Sequence, residues 1–464
     1  MPMNDTDSHR HWTRALLAPL VVLLALGLAG CEEGLLDVND PDVVQPDALQ
    51  GPDAVPIRIN GIIGDFHNAY DDYVLYSALL TDEMILAGTF PTRIDVDERI
   101  VQQDPDNATV NADIYEPMHV SRASADEGYA VFQDALGSEE FSEVQGQVQD
   151  GIAVARFYGG YQRILFAEGY CQSIFGGPDG ESGPLGPDAR MEEALSMLQE
   201  AETAANEAGL TDMATAARVG QGRALLWLGR YQEAASAVSG VPDDFVFFSE
   251  YSGNNTAQYN EVFQMTTGTI TALRWTVGDG TSGNRHNEIW PYFQEWVDQG
   301  LLDPDVDLDA AEIGIPVVLQ TIYNGPSSNI LIASGWEARM IQAEAQLRAG
   351  NDQQAENLIN PLLTTPSLNP LTAVNPSLAG ELGAFDTVDF ADSGFDAAND
   401  LPQLARARAA GLWLSGQRQA TLRRFATEDG VNLFPQGTQG DDMSFPITQQ
   451  EIDNNPNVSS ACGS

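Results

Sequence analysis

The sequence contains no lysine, and its basic residues are 21 arginines set against 68 aspartates and glutamates. The formal net charge is -47. Binding to a phosphate backbone requires a basic surface, which this chain cannot supply. A nucleic-acid-binding function is therefore excluded.

So large an acidic excess is typical of adaptation to high salt, where counterions screen the repulsion between carboxylates. The alternative is an acidic extracellular protein with no salt requirement. Under salt adaptation we expect thermal stability to rise steeply between roughly 0.1 M and molar salt, as the Debye length falls from about 10 to about 3 Å. Melting curves without that rise would support the alternative.

Histidine and cysteine are scarce, with five and three residues. Beyond the N-terminal segment only His67, His119 and His286 remain, and no H-E-x-x-H, G-x-S-x-G or Cys-His zinc pattern occurs. Carboxylates are so abundant that pairs with glycosidase-like spacing arise by chance. A non-catalytic binding protein is favoured, with a helical glycoside hydrolase as an alternative.

Long apolar runs are absent after the N-terminus. The run from Ala15 to Leu28 follows Arg10 and Arg14 and is too short to span a bilayer comfortably, which predicts a secretory signal. Leu28-Ala29-Gly30-Cys31 resembles a bacterial lipobox, with an incidental cysteine as the alternative. We therefore expect residues 1–30 to be removed and Cys31 to carry acyl chains that tether the protein to a membrane.

The two remaining cysteines are Cys171 and Cys462. A compartment outside the inner membrane permits a disulfide between them, which would close a very long loop. The alternative is a buried free Cys171 and a free thiol in the tail.

Helix-turn-helix spacing recurs along the chain. Gly229 follows one apolar helix and Ala234 lies five residues beyond it, as in tetratricopeptide repeats. Gly350 and Ala355 repeat the offset, and Leu414-Ser415-Gly416 resembles the turn again. The small-large-small spacing of the second helix also occurs one unit earlier, at Ala194, Leu198 and Ala201. The sequence therefore predicts an all-α, tetratricopeptide-like scaffold of about four helix pairs with little β structure.

The scaffold is expected at about residues 50–240 and 327–430. Its individual helical patterns include Asp53 to His67, Asp71 to Ala87, Ala112 to Leu136 and Gly151 to Ile174. The last of these carries aromatics near helical spacing, which predicts that they are core residues: Phe157, Tyr158, Tyr161, Phe166 and Tyr170. The stretches Gly88 to Asp106 and Pro361 to Asn399 are predicted loops.

The helical pattern breaks down at about residues 241–326, where aromatics are frequent, so this segment is predicted to be a loop-rich insertion. Gly278 to Gly283 matches G-x-G-x-x-G, but Asp279 would repel phosphates, and a glycine-rich turn is favoured. The acidic run Asp303 to Asp309 lacks the glycine and the final glutamate of an EF-hand. No cofactor or metal site is expected, beyond adventitious calcium.

Several motifs together resemble the SusD/RagB family of outer-membrane nutrient-binding lipoproteins. They are the lipobox, the leader Leu35-Leu36-Asp37-Val38, a helix ending in Gly416-Gln417-Arg418, then Leu422-Arg423-Arg424, Phe445-Pro446-Ile447 and a terminal Glu451 to Asn457. Glu32 and Glu33 also resemble a surface-export signal. One departure is that Ala407, Ala409 and Ala410 replace much of the usual Glu-Arg-rich segment in the last scaffold helix.

This resemblance implies a surface-exposed lipoprotein of the outer membrane, with residues 31–464 forming one SusD-like domain. Such a protein binds a glycan or another nutrient and delivers it to a SusC-like TonB-dependent transporter without catalysis. A tetratricopeptide-type lipoprotein that acts as a scaffold for outer-membrane assembly is a further alternative.

A glycan site needs aromatic faces for sugar C–H groups and planar donors for hydroxyls. The insertion supplies both, at Trp275, Arg285, His286, Asn287, Trp290, Tyr292 and Trp296. In the family the loop after the second helix joins the same face, which implies that Phe90 and Arg93 belong to the site. The competing interpretation is that the tryptophans form the insertion's own core.

Overall fold

The structure is a computed structural model that describes residues 49–176, 183–267, 275–278, 290–304, 318–390, 394–458, 460 and 462. The chain divides into two compact units, Met1–Ala54 and Val55–Ser464. In the first unit the described residues contain one turn of 3-10 helix, Pro52–Ala54. The predicted signal segment and Cys31 lie outside the described residues.

The second unit is built mainly from helices, as the repeat pattern predicts. We number its α-helices in chain order: α1 Val55–Leu80, α2 Pro91–Asp97, α3 Glu116–Ala135, α4 Gln145–Gly169, α5 Pro187–Ala208, α6 Thr211–Trp227, α7 Tyr231–Ala237, α8 Glu261–Thr267, α9 Phe293–Asp298, α10 Gly335–Arg348, α11 Asp352–Thr364, α12 Leu371–Val374, α13 Ala397–Leu412, α14 Arg418–Glu428 and α15 Gln449–Asn454. A π-helical turn, Thr109–Tyr115, precedes α3.

Short antiparallel strand pairs account for the β structure of the described residues. They are β1 Ile85–Leu86 with β3 Trp275–Thr276, β2 Val246–Ser249 with β6 Ile330–Ser334, and β4 Leu302–Asp303 with β5 Leu319–Gln320. The pairs β1–β3 and β2–β6 each join the predicted insertion to a segment outside it. The pair β4–β5 joins two parts of the insertion.

The predicted repeat turns are confirmed. Gly229, Gly350 and Gly416 take left-handed φ values of 68°, 74° and 70°, which a side chain would strain. Ala234 and Ala355 are fully buried, so each second helix packs closely on its partner. Helices α6, α7, α10 and α11 pack in succession, and α10 also contacts α13.

Helix α1 corrects the prediction of two helices broken near residue 70. The helix α1 continues through this point, and Asp71 lies in its buried part. Its carboxylate accepts hydrogen bonds from the backbone N–H groups of Glu261, at 2.9 Å, and Asp72, at 3.0 Å. The hydrogen bond from Glu261 offsets part of the cost of burying this carboxyl group, and burial still raises the pKa of Asp71 well above its usual range.

Helix α4 is the central helix of the core, and its predicted buried aromatics are confirmed. It runs Gln145–Gly169, about six residues earlier than predicted at the start. At Gly160 an added Cβ would lie 2.7 Å from Leu198 Cγ of α5, so a glycine is needed for this close helix contact. Helix α5 in turn packs on α6, which continues the scaffold.

The two predicted loops contain short helices. The stretch from Gly88 to Asp106 includes α2, which begins at Pro91, where the missing N–H of proline costs nothing. The stretch from Pro361 to Asn399 includes the end of α11, with Pro361 inside it, and α12. The described parts of both segments thus contain helical turns that their polar composition did not predict.

Buried ion pairs join the helices of the scaffold to one another. Glu168 of α4 pairs with Arg223 of α6, and Glu344 of α10 accepts two hydrogen bonds from Arg424 of α14. Arg408 of α13 lies 4.0 Å from Glu344. The alanine-rich α13 therefore keeps a polar partner in the core despite its departure from the family pattern.

Among the helices that the structure describes, none is both long enough and apolar enough to cross a membrane.

Candidate functional site

The loop between α1 and α2 presents the most accessible aromatic ring of the described residues. Phe90 is 47% exposed, whereas the other described Phe, Tyr and Trp side chains are buried or half-buried. Pro91 starts α2 directly after it and so restricts the backbone at this position. An exposed ring on a restrained backbone can act as a binding platform.

Arg93 lies beside this ring. Its guanidinium carbon is 5.2 Å from the centre of the Phe90 ring and 5.8 Å from that of Tyr76. Arg93 Nη2 is 3.5 Å from a carboxylate oxygen of Asp113, whose side chain is 36% exposed. We call Phe90, Arg93 and Asp113 the Phe90 surface, because together they offer an apolar face, a planar cation and an acceptor.

Tyr76 and Asp72 support the Phe90 surface from α1. The Tyr76 hydroxyl donates to Asp113 at 2.5 Å, and burial together with the Asp113 charge raises the pKa of Tyr76, so the hydroxyl remains a donor. Burial and the charges of Asp71, Glu261 and Asp113 raise the pKa of Asp72 well above its usual range, against the opposing effect of Arg93. The contact shown between Arg93 and a carboxylate is the one with Asp113, which orients the guanidinium.

The strand pair β1–β3 brings part of the insertion next to this loop. Leu86 pairs with Trp275, and the Trp275 ring meets the Tyr76 ring edge-on at 5.4 Å. The loop that carries Phe90 therefore lies beside this part of the insertion. Trp275 itself is fully buried beneath the Phe90 surface and does not reach solvent.

The tryptophans Trp275, Trp290 and Trp296 are therefore not exposed sugar platforms in this structure, which corrects the prediction from the sequence. Trp290 and Trp296 are 1% and 0% exposed and contact Trp413 of the scaffold, with ring centroids 6.0 and 6.3 Å apart. Arg418 also lies over Trp290, at 4.6 Å. The insertion needs a core of its own, and these large rings supply it.

Of the remaining predicted insertion residues, the structure describes one and leaves three undescribed. Tyr292 is half-buried and stacks on Trp296 at 5.2 Å, which makes it the rim of the same aromatic cluster. Arg285, His286 and Asn287 lie outside the described residues.

No group of three or more His, Cys, Asp or Glu side chains is arranged to hold a metal ion among the residues that the structure describes. The acidic run suggested for adventitious calcium is described only at Asp303 and Pro304. Burial lowers the pKa of His67 to about 4 and that of His119 to about 3, so both imidazoles are neutral at physiological pH. In His119 the charges of Arg122 and Arg190 add to this effect.

Sequence reasoning missed Tyr76, Asp113 and Met265, whose sulfur lies 4.0 Å from Arg93 Nη1. Tyr76 belongs to an apolar helix face, Asp113 to a π-helical turn and Met265 to α8. No local pattern distinguishes them, because their proximity to Arg93 depends on the packing of segments distant in sequence.

Cys171 and Cys462 form a disulfide, with Cα atoms 5.2 Å apart. Two neighbouring hydrogen bonds hold the same segments together. The Cys171 N–H donates to Phe445 O at 3.1 Å, and the Gln172 side chain donates to Ser460 O at 2.7 Å. Of the two alternatives left open by the sequence, the structure contains the bonded form.

Several solved structures share this architecture over most of the chain. A SusD superfamily protein from Bacteroides vulgatus superposes with a TM-score of 0.62 at 12% identity, over 88% of this chain and 98% of that one. A SusD/RagB family protein from Bacteroides thetaiotaomicron gives 0.60 at 14% identity, over 86% and 95%. Surface glycan-binding protein A from Bacteroides uniformis gives 0.57 at 10% identity, over 88% and 99%.

No family model matches this chain, and no curated protein matches it. At these identities the similarity to solved structures demonstrates the fold alone. At that level the resemblance seen in the sequence is confirmed: the helical, tetratricopeptide-like fold is similar to those of solved SusD superfamily proteins.

Proposed function

We propose that this chain, which has the SusD-superfamily fold, is a non-catalytic surface lipoprotein that binds a glycan at the Phe90 surface. The observation that carries the proposal is the exposure of Phe90 beside Arg93 and Asp113. Structural relatives described as a putative sugar binding protein and a surface glycan-binding protein support the ligand class.

The chemistry of the Phe90 surface suits a sugar. The C–H face of a pyranose can pack on the Phe90 ring, while Arg93 donates to hydroxyl oxygens and Asp113 accepts from hydroxyl hydrogens. Because Arg93 is already oriented by Asp113, less side-chain entropy is lost on binding. The same groups include no nucleophile paired with a base, which favours binding over turnover.

We further propose that the protein is anchored in the outer membrane through Cys31 and delivers its ligand to a SusC-like TonB-dependent transporter. The lipobox Leu28-Ala29-Gly30-Cys31 supports the anchor. The superfamily fold and the extended helical surface support docking to a large partner. Affinity purification from native membranes in high salt should recover a TonB-dependent barrel, and its absence would refute the delivery role.

Replacing Phe90 with alanine should weaken glycan binding by about five- to thirtyfold, since stacking of an aromatic ring contributes on the order of 1–2 kcal/mol. The ligand would first be identified on a glycan array in high salt, and affinities then measured by calorimetry. Arg93→Ala should produce a similar loss. Recovery of the glycan unchanged after prolonged incubation would show that the protein does not hydrolyse it.

The matched control is Leu136→Ala, which removes another exposed apolar side chain, 43% exposed, from the end of α3. It should leave affinity unchanged, and both it and Phe90→Ala should melt near the wild-type temperature. Arg93→Ala should melt lower, because the Arg93 side chain is only 12% exposed and pairs with Asp113. Wild-type affinity in both Phe90→Ala and Arg93→Ala would show that the glycan binds elsewhere.

A further inference from the structure

A cavity of about 670 Å³ between α3, α4 and α5 gathers positive charge in a strongly acidic protein. Four of the chain's 21 arginines line it: Arg122, Arg156, Arg163 and Arg190. We call it the arginine cavity. Phe175 forms part of its wall, and the guanidinium carbons of Arg190, Arg122 and Arg163 lie 3.4, 5.1 and 5.3 Å from its ring centre.

Three carboxylates line the same cavity and pair with these arginines. Arg163 and Arg122 contact Asp126 at 2.9 and 3.0 Å, Arg190 contacts Glu193 at 2.7 Å, and Arg156 Nε lies 2.7 Å from Glu200. Among the described residues that line the cavity, four cations face three anions.

The donors of the arginines are also incompletely used. Arg122 Nε is buried and has no hydrogen-bond partner within the part of the chain that the structure describes. Arg122 and Arg190 retain 14% and 4% of their side-chain exposure, so their guanidinium groups are largely shielded from water. A shielded donor without a partner is costly unless a ligand satisfies it.

The pKa values of two buried groups at or near this cavity are lowered, mainly by burial and to a smaller extent by the arginine charges. Burial lowers the pKa of Arg190, and the charges of Arg163 and Arg122 lower it further, against the opposing effect of Glu193. The neutral His119 beside Phe175 shows the same influence of Arg122 and Arg190. In a chain of net charge -47, four arginines around one cavity are a specific arrangement of side chains.

We propose that the arginine cavity binds one oxyanion, a carboxylate or sulfate group, carried on a ligand no larger than a few sugar units. Planar guanidinium groups match the paired oxygens of both anions, and Phe175 offers an apolar contact beside them. The proposal is independent of the Phe90 surface, with which the cavity shares no residue.

The test is calorimetric titration of the mature protein, at constant ionic strength, with galacturonate, inorganic sulfate and neutral galactose. Saturable binding of galacturonate or sulfate, and none of galactose, is the expected result. Galacturonate alone would identify a carboxylate site, and sulfate alone a sulfate site. No saturable binding of either anion would overturn the proposal.

The site is tested with Arg122→Gln and Arg156→Gln, each of which should weaken anion binding by about tenfold or more, the usual effect of losing a charge-assisted hydrogen bond. Arg230→Gln is the matched control. It removes the same charge, but Arg230 is 37% exposed and lies outside the cavity. It should bind as the wild type does. Equal weakening in all three variants would mean non-specific attraction and would overturn the proposal.

Ser196→Glu provides a second route that removes no arginine. Ser196 is an exposed residue lining the cavity, so the new carboxylate should compete with the ligand without disturbing the core. It should abolish anion binding at an unchanged melting temperature. Undiminished binding in Ser196→Glu would place the anion elsewhere.

Discussion

Replacing Glu344 with alanine is expected to lower the free energy of unfolding by about 3–5 kcal/mol, because it leaves buried arginines without their counterion. Glu344 is fully buried. Arg424 donates to both of its oxygens, at 2.9 and 2.8 Å, and Arg348 Nε donates at 3.1 Å. These bonds join α10 to α14, and α14 contacts α1 and α4, so the loss should affect the whole scaffold.

The measurement is urea denaturation at fixed molar salt. Glu233→Ala is the matched control, because Glu233 also pairs with an arginine but its side chain is 59% exposed. A salt bridge in solvent contributes little, so this control should show no measurable loss. A Glu344→Ala variant as stable as the control would show that the buried cluster does not support the fold.

Glu344 should also make stability depend on acid. Burial raises the pKa of Glu344, but the charge and hydrogen bonds of Arg424, with the charges of Arg348 and Arg408, outweigh burial and lower that pKa to about 2 from its usual 4.5. The stabilisation is therefore fully present above about pH 4.5 and is lost as the pH falls towards 2. In Glu344→Gln the free energy of unfolding should no longer fall in this way between pH 4.5 and 2. Urea denaturation of both proteins at several pH values in that range is the measurement.

Removing the disulfide by the double substitution Cys171→Ser and Cys462→Ser should lower the free energy of unfolding by about 2–5 kcal/mol. The bond joins residues 291 positions apart, so it restricts the unfolded chain over most of its length. Removing both cysteines avoids a free thiol that could form mixed disulfides.

Thermal melts of oxidised wild type, reduced wild type and the double variant provide the measurement. Reductant should lower the melting temperature of the wild type to that of the double variant and should leave the melting temperature of the variant unchanged. Intact mass under non-reducing conditions should be two hydrogens lower than that of the reduced chain. If the double variant melts at the same temperature as the oxidised wild type, the disulfide adds nothing to stability.

Local sequence signals determined the scaffold. The offset from Gly229 to Ala234 is sufficient to predict a repeat turn, because a left-handed glycine and a small residue at that spacing are needed wherever two helices form a tight hairpin. The aromatics of α4 were assigned correctly for a similar reason: helical periodicity places Phe157 and Tyr161 on one face. Both inferences depend on residues that are neighbours along the chain.

Tertiary packing decided the candidate sites. Trp290 and Trp296 have the composition expected of a sugar platform, yet contact with Trp413, more than a hundred residues away, buries them. Arg93 meets Asp113 only because α2 and the π-helical turn pack together beside α1.

The arginine cavity follows the same principle, since its four cations come from three helices and only their packing concentrates the charge. The sequence by itself determined the helical repeats, the acidic surface and the resemblance to the SusD/RagB family, because each depends on composition or on short spacings. Which rings are buried, which arginines converge and which ring stays exposed depend on contacts between distant segments, and those were decided by the tertiary structure.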